Sequence, residues 1–279
     1  MTPPPAWLNP VLAATLEAGA LIRDLYRRQQ ARRLTVERKA DHSPVTEADL
    51  AAHRVLDAAL APLLPGVPVV SEENADSHPL RVSSERFWLI DPLDGTREFI
   101  EKRDEFTVNV ALIDAGRPVF GTVYAPIPDE LFWGGRDIGA WQRIDGRDRP
   151  LHSLPLPVRL ADGRFEAAMR IVASRSHLND ATRQWINAHR PHLLLQSGSS
   201  LKFCRIAQGY ADCYPRMSPT AEWDTAAAQA IVEAAGGQVI DDQGRALRYG
   251  KPDVLNPSFL VTGPAATDGS TLSLQTPTA

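Results

Sequence analysis

The 279-residue sequence predicts a layered α+β fold in two parts. Three observations predict it. Two helical stretches open the chain, short strands joined by tight turns fill the rest of its first half, and strand and helix alternate through the second. The length lies near the point where a single hydrophobic core stops growing, about 250–300 residues. Residues 145–162 are rich in Pro, Gly, Asp and Arg, so the expected halves are 1–150 and 151–279.

Val11, Ala14, Ala18, Ile22 and Leu25 recur at helical spacing and predict a first helix over Pro10–Arg28. A second follows Thr46, with Ala52, Val55, Leu56, Ala59, Leu60 and Leu63 on one face. Val67–Val70 reads as a strand running into Ser71-Glu72-Glu73, and Phe87–Ile90 as another running into Asp91. Thr107–Ile113 and Val119–Tyr124 flank Asp114-Ala-Gly-Arg117 as a hairpin, which Leu131–Trp133 and Ala140–Arg143 extend. The second half gives strands at Arg170–Ser174, Leu193–Gln196, Ala211–Tyr214 and Gln238–Ile240. Helices at Asn179–His189, Ser200–Gln208 and Trp223–Ala235 separate them, the last stopped by Gly236-Gly237. The proline-rich residues 2–5 and the stretch Gly263–Ala279 read as loose ends.

Composition excludes several classes of function. With 43% apolar and 23% charged residues, the chain as a whole is not disordered. Cys204 and Cys213 are the only cysteines, too few for a disulfide framework or a four-cysteine zinc site. Lys plus Arg number 30 against 34 Asp plus Glu, the wrong balance for a nucleic-acid binder, so no nucleic-acid partner is expected. No stretch approaches the roughly 18 apolar residues of a membrane span, and no basic segment leads into an apolar core as in a secretory signal. The cytoplasm is the expected location, with peripheral contact on the cytoplasmic face of the inner membrane left open. The basic residues from Arg23 to Lys39 read first as a solvated helix face and second as a contact for anionic lipid.

Acidic residues concentrate where strands end. Between Ser71 and Glu105 ten acidic residues stand against five basic ones. Glu72 and Glu73 follow one apolar strand, and Asp91 and Asp94 follow another, which is where crevices open in layered folds. In Asp91-Pro92-Leu93-Asp94-Gly95-Thr96, proline fixes one backbone angle and glycine permits close backbone approach. The two carboxylates and the Leu93 carbonyl can therefore converge on one point. Converging carboxylates need a proton or cation between them, and oxygen ligands suit Mg²⁺ or Ca²⁺. The alternative is a turn in which Asp94 caps the next helix. Asp224 likewise reads as a metal ligand or a plain helix cap. Thr46 and Asp49 read as a capping box or as part of the same site.

Taken together and in this order, Asp41–Asp49, Ser71-Glu72-Glu73, Trp88–Thr96 and Trp223–Ala227 resemble the inositol monophosphatase superfamily of Mg²⁺-dependent, lithium-sensitive phosphatases. The resemblance implies a five-layer αβαβα sandwich of the inositol monophosphatase/sugar phosphatase type, with the site between the halves. It implies two to three Mg²⁺ ions. Glu72, Asp91 and the Leu93 carbonyl would hold the first, Asp91, Asp94 and Asp224 the second, and a weaker third would lean on Glu72. Thr96, held by Asp49, would orient the attacking water; Glu73 would assist through water; Lys39 would lie near the phosphate. Residues 1–150 would then carry most metal ligands, and 151–279 the substrate contacts and the last ligand.

Within the superfamily, Ser174-Arg-Ser-His177, Gly198–Cys204 and Ala211–Arg216, followed by Glu222-Trp223-Asp224, resemble the bacterial 3′(2′),5′-bisphosphate nucleotidases. This implies removal of the 3′-phosphate from 3′-phosphoadenosine 5′-phosphate (PAP) to give AMP, with the sulfated nucleotide PAPS as a further substrate to consider. Glu72, Leu93, Asp94, Gly95, Thr96 and Asp224 would meet the reacting phosphate. His177, Ser199, Ser200, Lys202 and Arg216 would meet the rest of the nucleotide. A lysine early in a helix, as at position 202, opposes the helix dipole and so suits anion binding. The competing expectations are an inositol or sugar phosphatase, and a catalytically silent metal- or nucleotide-binding protein. A monomer or a homodimer is expected.

Overall fold

The computed structural model describes residues 3–28, 36–38, 44–175 and 178–275. In chain order the elements are α1 (Leu8–Arg28), β1 (Val36–Arg38), β2 (Pro44–Thr46), α2 (Glu47–Leu60), β3 (Val69–Ser71), α3 (His78–Ser83), β4 (Arg86–Asp94), α4 (Thr96–Ile100), β5 (Thr107–Asp114), β6 (Arg117–Ala125), β7 (Glu130–Gly135), β8 (Gly139–Ile144) and β9 (Arg147–Pro150). They continue as β10 (Met169–Ser174), α5 (Asp180–Ala188), β11 (His192–Ser197), α6 (Leu201–Ala207), β12 (Cys213–Arg216), α7 (Ala226–Ala234), β13 (Gln238–Asp241) and β14 (Phe259–Thr262). A 3₁₀ turn, Glu222–Asp224, precedes α7.

Strands β3 to β9 lie side by side in chain order, β3 and β4 parallel and each later pair antiparallel. The smaller sheet runs β11-β10-β12-β14-β13, with β10 parallel to both neighbours and the remaining pairs antiparallel. Both faces of the large sheet are buried. On β4, Trp88 and Ile90 point to one face while Phe87 and Leu89 point to the other, as the two-residue period of a strand dictates. On the first face lie α1 and α2, with Val11, Ala18, Ile22, Ala52, Leu56 and Leu60. On the second lie α7 and α6, which also pack on the small sheet. The far side of that sheet is closed by Trp185 and Ile186 of α5 against Met169, Ile171 and Leu260. The layers therefore run α, β, α, β, α, as expected.

The central layer is possible because α7 is built from small residues. Ala226, Ala227, Ala228 and Ala230 are buried between the sheets, and α7 crosses β6 at Gly121. A Cβ at Gly121 would come 2.0 Å from the Ala227 carbonyl oxygen. The strands of the large sheet all precede residue 151 and those of the small sheet all follow residue 168. We propose 1–150 and 151–279 as two halves that share the α6/α7 layer.

Several elements differ from expectation, each for a physical reason. β4 does not stop at Ile90 but continues to Asp94. Asp91 pairs with Asn109 and Asp94 with Thr107, so three steps on one strand face two on the other and the segment is a β-bulge, not a turn. β9, all polar or proline and fully exposed, falls inside the stretch expected to be linker; it carries no apolar alternation to reveal it. β12 starts at Cys213 and runs to Arg216, because the buried arginine continues the strand. The helix expected from Trp223 divides into the 3₁₀ turn and α7. α3, α4, the β1–β2 ladder and β14 are additions; all are six residues or shorter, too short for periodicity to register. Residues 264–275 are irregular but not loose: Ala266, Leu272 and Leu274 are buried against the α5 layer, and Ser273 O accepts from Trp185 Nε1 at 2.9 Å. Cys204 and Cys213 are buried, as expected.

Replacing Gly121 with Ala is expected to push α7 off β6 and to lower the unfolding free energy by about 1–3 kcal/mol. Urea denaturation measures this; a change below about 0.5 kcal/mol would contradict so close a helix–strand contact.

Candidate active site

The bulge of β4 places its carboxylates. Asp91 is the last regularly paired residue before the register shift and is buried. Its Oδ1 accepts from Leu93 N at 3.1 Å; its Oδ2 is buried and, among the described residues, accepts no hydrogen bond. Gly95 then turns the chain with φ of 98°, and a Cβ there would lie 2.4 Å from Ser199 Oγ, so only glycine lets the β10–α6 half approach this closely. Gly95, not Asp94, is the residue at the N-terminus of α4, which removes the reading of Asp94 as that helix's cap.

Glu72 and Asp224 arrive from different elements. Glu72 follows β3, and its N–H donates to Ile90 O at 3.2 Å, which sets it beside β4. Asp224 ends the 3₁₀ turn, where its Oδ2 accepts from Ala221 N at 2.7 Å. It does not cap α7; the residue there is Thr225. One oxygen each from Glu72, Asp91 and Asp224 lies within 4.8 Å of the others. Asp94 stands beside this trio with Oδ2 turned away. That oxygen accepts from Ser200 N at 2.7 Å and lies 3.4 Å from both Thr107 Oγ1 and Asn109 Nδ2.

This grouping is electrostatically costly. Burial first, and then the charge of Glu72, Asp94, Asp224 and Glu73, holds the Asp91 carboxyl well above the usual carboxylate range. Asp224 is pushed up by burial and then by Asp94 and Glu72. Asp94 is also raised, mainly by burial. Carboxylate oxygens of buried Asp91 and half-buried Glu72 and Asp224 that close, with Asp91 also carrying an oxygen that accepts no hydrogen bond among the described residues, fit hard divalent cations.

Thr96 Oγ1 lies 2.9 Å from Asp49 Oδ1 and 3.3 Å from Leu93 O, so the hydroxyl donates to the carboxylate. Asp49 is also the acid of the α2 capping box, its Oδ2 accepting from Thr46 N at 2.8 Å and Thr46 Oγ1 at 2.6 Å. The capping reading of Asp49 holds, and because one oxygen caps α2 while the other accepts from Thr96, the two readings do not exclude each other. Glu73 is half-buried beside Asp91, its N–H on Ser71 Oγ.

A cleft of about 490 Å³ opens beside Glu72, Asp94, Thr96 and Asp224, and its lining continues to Lys202 and Arg216. Lys202 is 5% exposed. It donates from Nζ to Ser199 O and sits over the Tyr214 ring at 5.5 Å; burial brings its pKa down to about 8. Arg216 is buried and donates to the carbonyls of Ser218 and Pro219. Ser199 Oγ lies 2.8 Å from the carbonyls of Asp94 and Glu105. Ser200 Oγ is engaged by Asn109 and Thr107. Both serines thus brace the β4 bulge, and Ser200, at 1% exposure, offers its hydroxyl to no ligand. His177 and Lys39 lie outside the described residues.

Sequence reasoning missed Thr107 and Asn109. Their signal was present: two polar residues at alternate positions in an otherwise apolar strand, both pointing to one face.

The profile of the inositol monophosphatase family matches residues 7–276. The chain belongs to the inositol monophosphatase family. The 3′(2′),5′-bisphosphate nucleotidase CysQ of Salmonella typhimurium is 41% identical over 256 residues, covering 91% of this chain and 99% of that protein. The protein of the same name from Haemophilus influenzae is 33% identical over 264 residues, 94% of each. Among solved structures, CysQ from Bacteroides thetaiotaomicron, a bacterial member of the inositol monophosphatase family, gives a TM-score of 0.75 at 38% identity, covering 91% of this chain and 96% of that one. An inositol monophosphatase from Zymomonas mobilis gives 0.69 at 26% identity, covering 93% and 94%. None of the described helices is long and apolar enough to cross a membrane.

The raised carboxyls predict an unusual pH response. Asp91, Asp94 and Asp224 bind protons more tightly folded than unfolded. Their contribution to metal-free stability is therefore present below the unfolded value of about 4 and lost as pH rises through the raised values. In EDTA at pH 8, Asp224→Asn should melt above the native protein, by about 2–4 °C per kcal/mol relieved, and the gap should close toward pH 5. Adding Mg²⁺ should raise the native melting temperature far more than the variant's. A variant that melts lower than the native protein in EDTA at pH 8 contradicts this.

Proposed function

We propose that the chain is a Mg²⁺-dependent phosphomonoesterase that hydrolyses the 3′-phosphate of PAP to AMP and phosphate. The observation that carries the reading is a single cleft whose lining holds Glu72, Asp94 and Asp224 together with the buried cations Lys202 and Arg216. A bisphosphorylated nucleotide offers one phosphate to ions on the carboxylates and a second to the cations, whereas a small monophosphate uses only the first. The CysQ relatives, named 3′(2′),5′-bisphosphate nucleotidases over nearly the whole chain, support the same substrate.

In this reading two to three Mg²⁺ ions are held by Glu72, Asp91, Leu93 O, Asp94 and Asp224. Such ions supply a water of lowered pKa and neutralise charge on the phosphate and the departing oxygen. The chain's own residues do the rest. Asp49 fixes the Thr96 hydroxyl as a donor to Oδ1, which leaves a lone pair on the Thr96 oxygen to accept a hydrogen bond from the attacking water and so aim it. Glu73, beside Asp91, assists through water. Ser200 N, Thr107 and Asn109 hold Asp94 Oδ2, leaving Oδ1 as its ligand oxygen. Lys202 and Arg216 bind the 5′-phosphate, with Gly95 and Ser199 lining the same cleft. Binding at a remote phosphate orients the ester for in-line attack. PAPS, with a sulfated 5′-phosphate, fits the same cation pair.

Phosphate release from PAP, 3′-AMP and inositol 1-phosphate, with and without Mg²⁺, tests this reading. PAP should be preferred and turnover should vanish without Mg²⁺. Lys202→Met should raise KM for PAP about tenfold or more with little change in kcat. KM for 3′-AMP, which has no 5′-phosphate, should stay where it was. A preference for inositol 1-phosphate would overturn the substrate assignment, and an equal rise in both KM values would overturn the role of Lys202.

A further inference from the structure

The turn that delivers Asp224 is anchored from the other half of the chain. Glu222, two residues before Asp224, is fully buried. Its oxygens take four nitrogen donors: Arg81 Nη1 at 3.0 Å and Gly250 N at 2.9 Å on Oε2, Lys251 N at 3.1 Å and Lys251 Nζ at 2.5 Å on Oε1. Arg81 belongs to α3, the short helix that follows the Glu72-Glu73 loop, and its Nη1 also donates to Lys251 O. Three residues earlier, on the same helix face, the His78 ring lies 5.0 Å from the ring of Trp223. His78 Nε2 lies 3.0 Å from the carbonyl of Ser71, the residue before Glu72. Through these contacts α3 touches both segments whose carboxylates come within 4.8 Å of each other.

We infer that α3 is a spacer that sets the separation of Glu72 and Asp224, with Arg81 and His78 as positioning residues for the divalent cations those carboxylates hold. The inference rests on the reading of Glu72 and Asp224 as ligands of the divalent ions that Asp91 joins. The metal-free carboxylates repel, and something stiffer than a surface loop must resist their spreading. A buried ion pair does so, because breaking it strands a charge. Stability alone does not explain the pair: Arg81 Nε is buried and has no hydrogen-bond partner among the described residues. An apolar side chain of similar volume would avoid that cost, but it could not hold Glu222 at a fixed distance.

Four single variants, Arg81→Met, Arg81→Lys, His78→Leu and Asp224→Asn, test it. The readouts are Mg²⁺ affinity by calorimetry without substrate, the Mg²⁺ half-saturation of turnover, kcat at saturating Mg²⁺, and melting temperature in EDTA. Arg81→Met should weaken Mg²⁺ binding about tenfold or more while kcat at saturating metal stays within about twofold. Arg81→Lys should recover most of the affinity. His78→Leu should shift affinity in the same direction by less, and it serves as the test if Arg81→Met does not fold. Lowered melting temperature with native Mg²⁺ affinity in Arg81→Met, or in His78→Leu where that variant stands in, overturns the inference. Asp224→Asn separates the two levels. Unchanged Mg²⁺ binding there removes the ligand reading itself, whereas lost binding there with native binding in the α3 variants removes the spacer alone.

Discussion

Mutual repulsion among buried acids is the constraint on which the rest of this structure depends. Asp91, Asp94 and Asp224 would each be more comfortable in water or apart, since burial and their neighbours' charges hold all three carboxyls above the usual carboxylate range. They stay together because each is carried by backbone fixed elsewhere. Asp91 and Asp94 ride a bulge in a strand buried on both faces. Asp224 ends a turn tied to α3 through Glu222. Glu72 is tied to β4 through its amide. Folding energy from the two cores is thus stored as a site of high affinity for positive charge, a trade of stability for function common at active sites.

The sandwich makes that storage possible. The central helical layer lets residues from the small-sheet half reach β4. Ser199 bonds the carbonyl of Asp94, Ser200 bonds its carboxylate, and Lys202 lies one turn along. These contacts come from residues beyond 196 and meet residues before 110. The site therefore exists only when both halves are assembled. A small-residue helix and a glycine at the β6 crossing, where any side chain would collide with Ala227, give the two sheets their spacing.

Much of this was legible in the chain, and the illegible parts have identifiable causes. The helices with long apolar faces, α1 and α2, and the hairpin of β5 and β6 were plain from periodicity. The four acidic segments pointed to one family and to the correct five-layer fold. What sequence could not give was the backbone geometry that decides a carboxylate's role. Asp49 read as either a cap or a site residue; it is a cap, and its other oxygen is left to hold Thr96, because the two oxygens face different ways. Asp94 read as either a metal ligand or a cap; the cap is excluded, because the bulge directs it to Ser200 instead. Ser200 looked like a substrate contact, yet its hydroxyl is spent on Asn109 and Thr107. Glu222 carried no signal beyond lying next to Trp223, since its partner Arg81 lies 141 residues away.

We propose that Glu72, Asp91 and Asp224 line one cluster of divalent cations joined through Asp91. Crystals grown with Mn²⁺ as a scattering substitute for Mg²⁺ test it most directly. Anomalous peaks are expected with ligand distances near 2.2 Å, about the span of Mn²⁺–oxygen bonds, to Asp91 together with Glu72 or Asp224. Peaks bound elsewhere, or none at millimolar Mn²⁺ with these carboxylates still grouped, would contradict it.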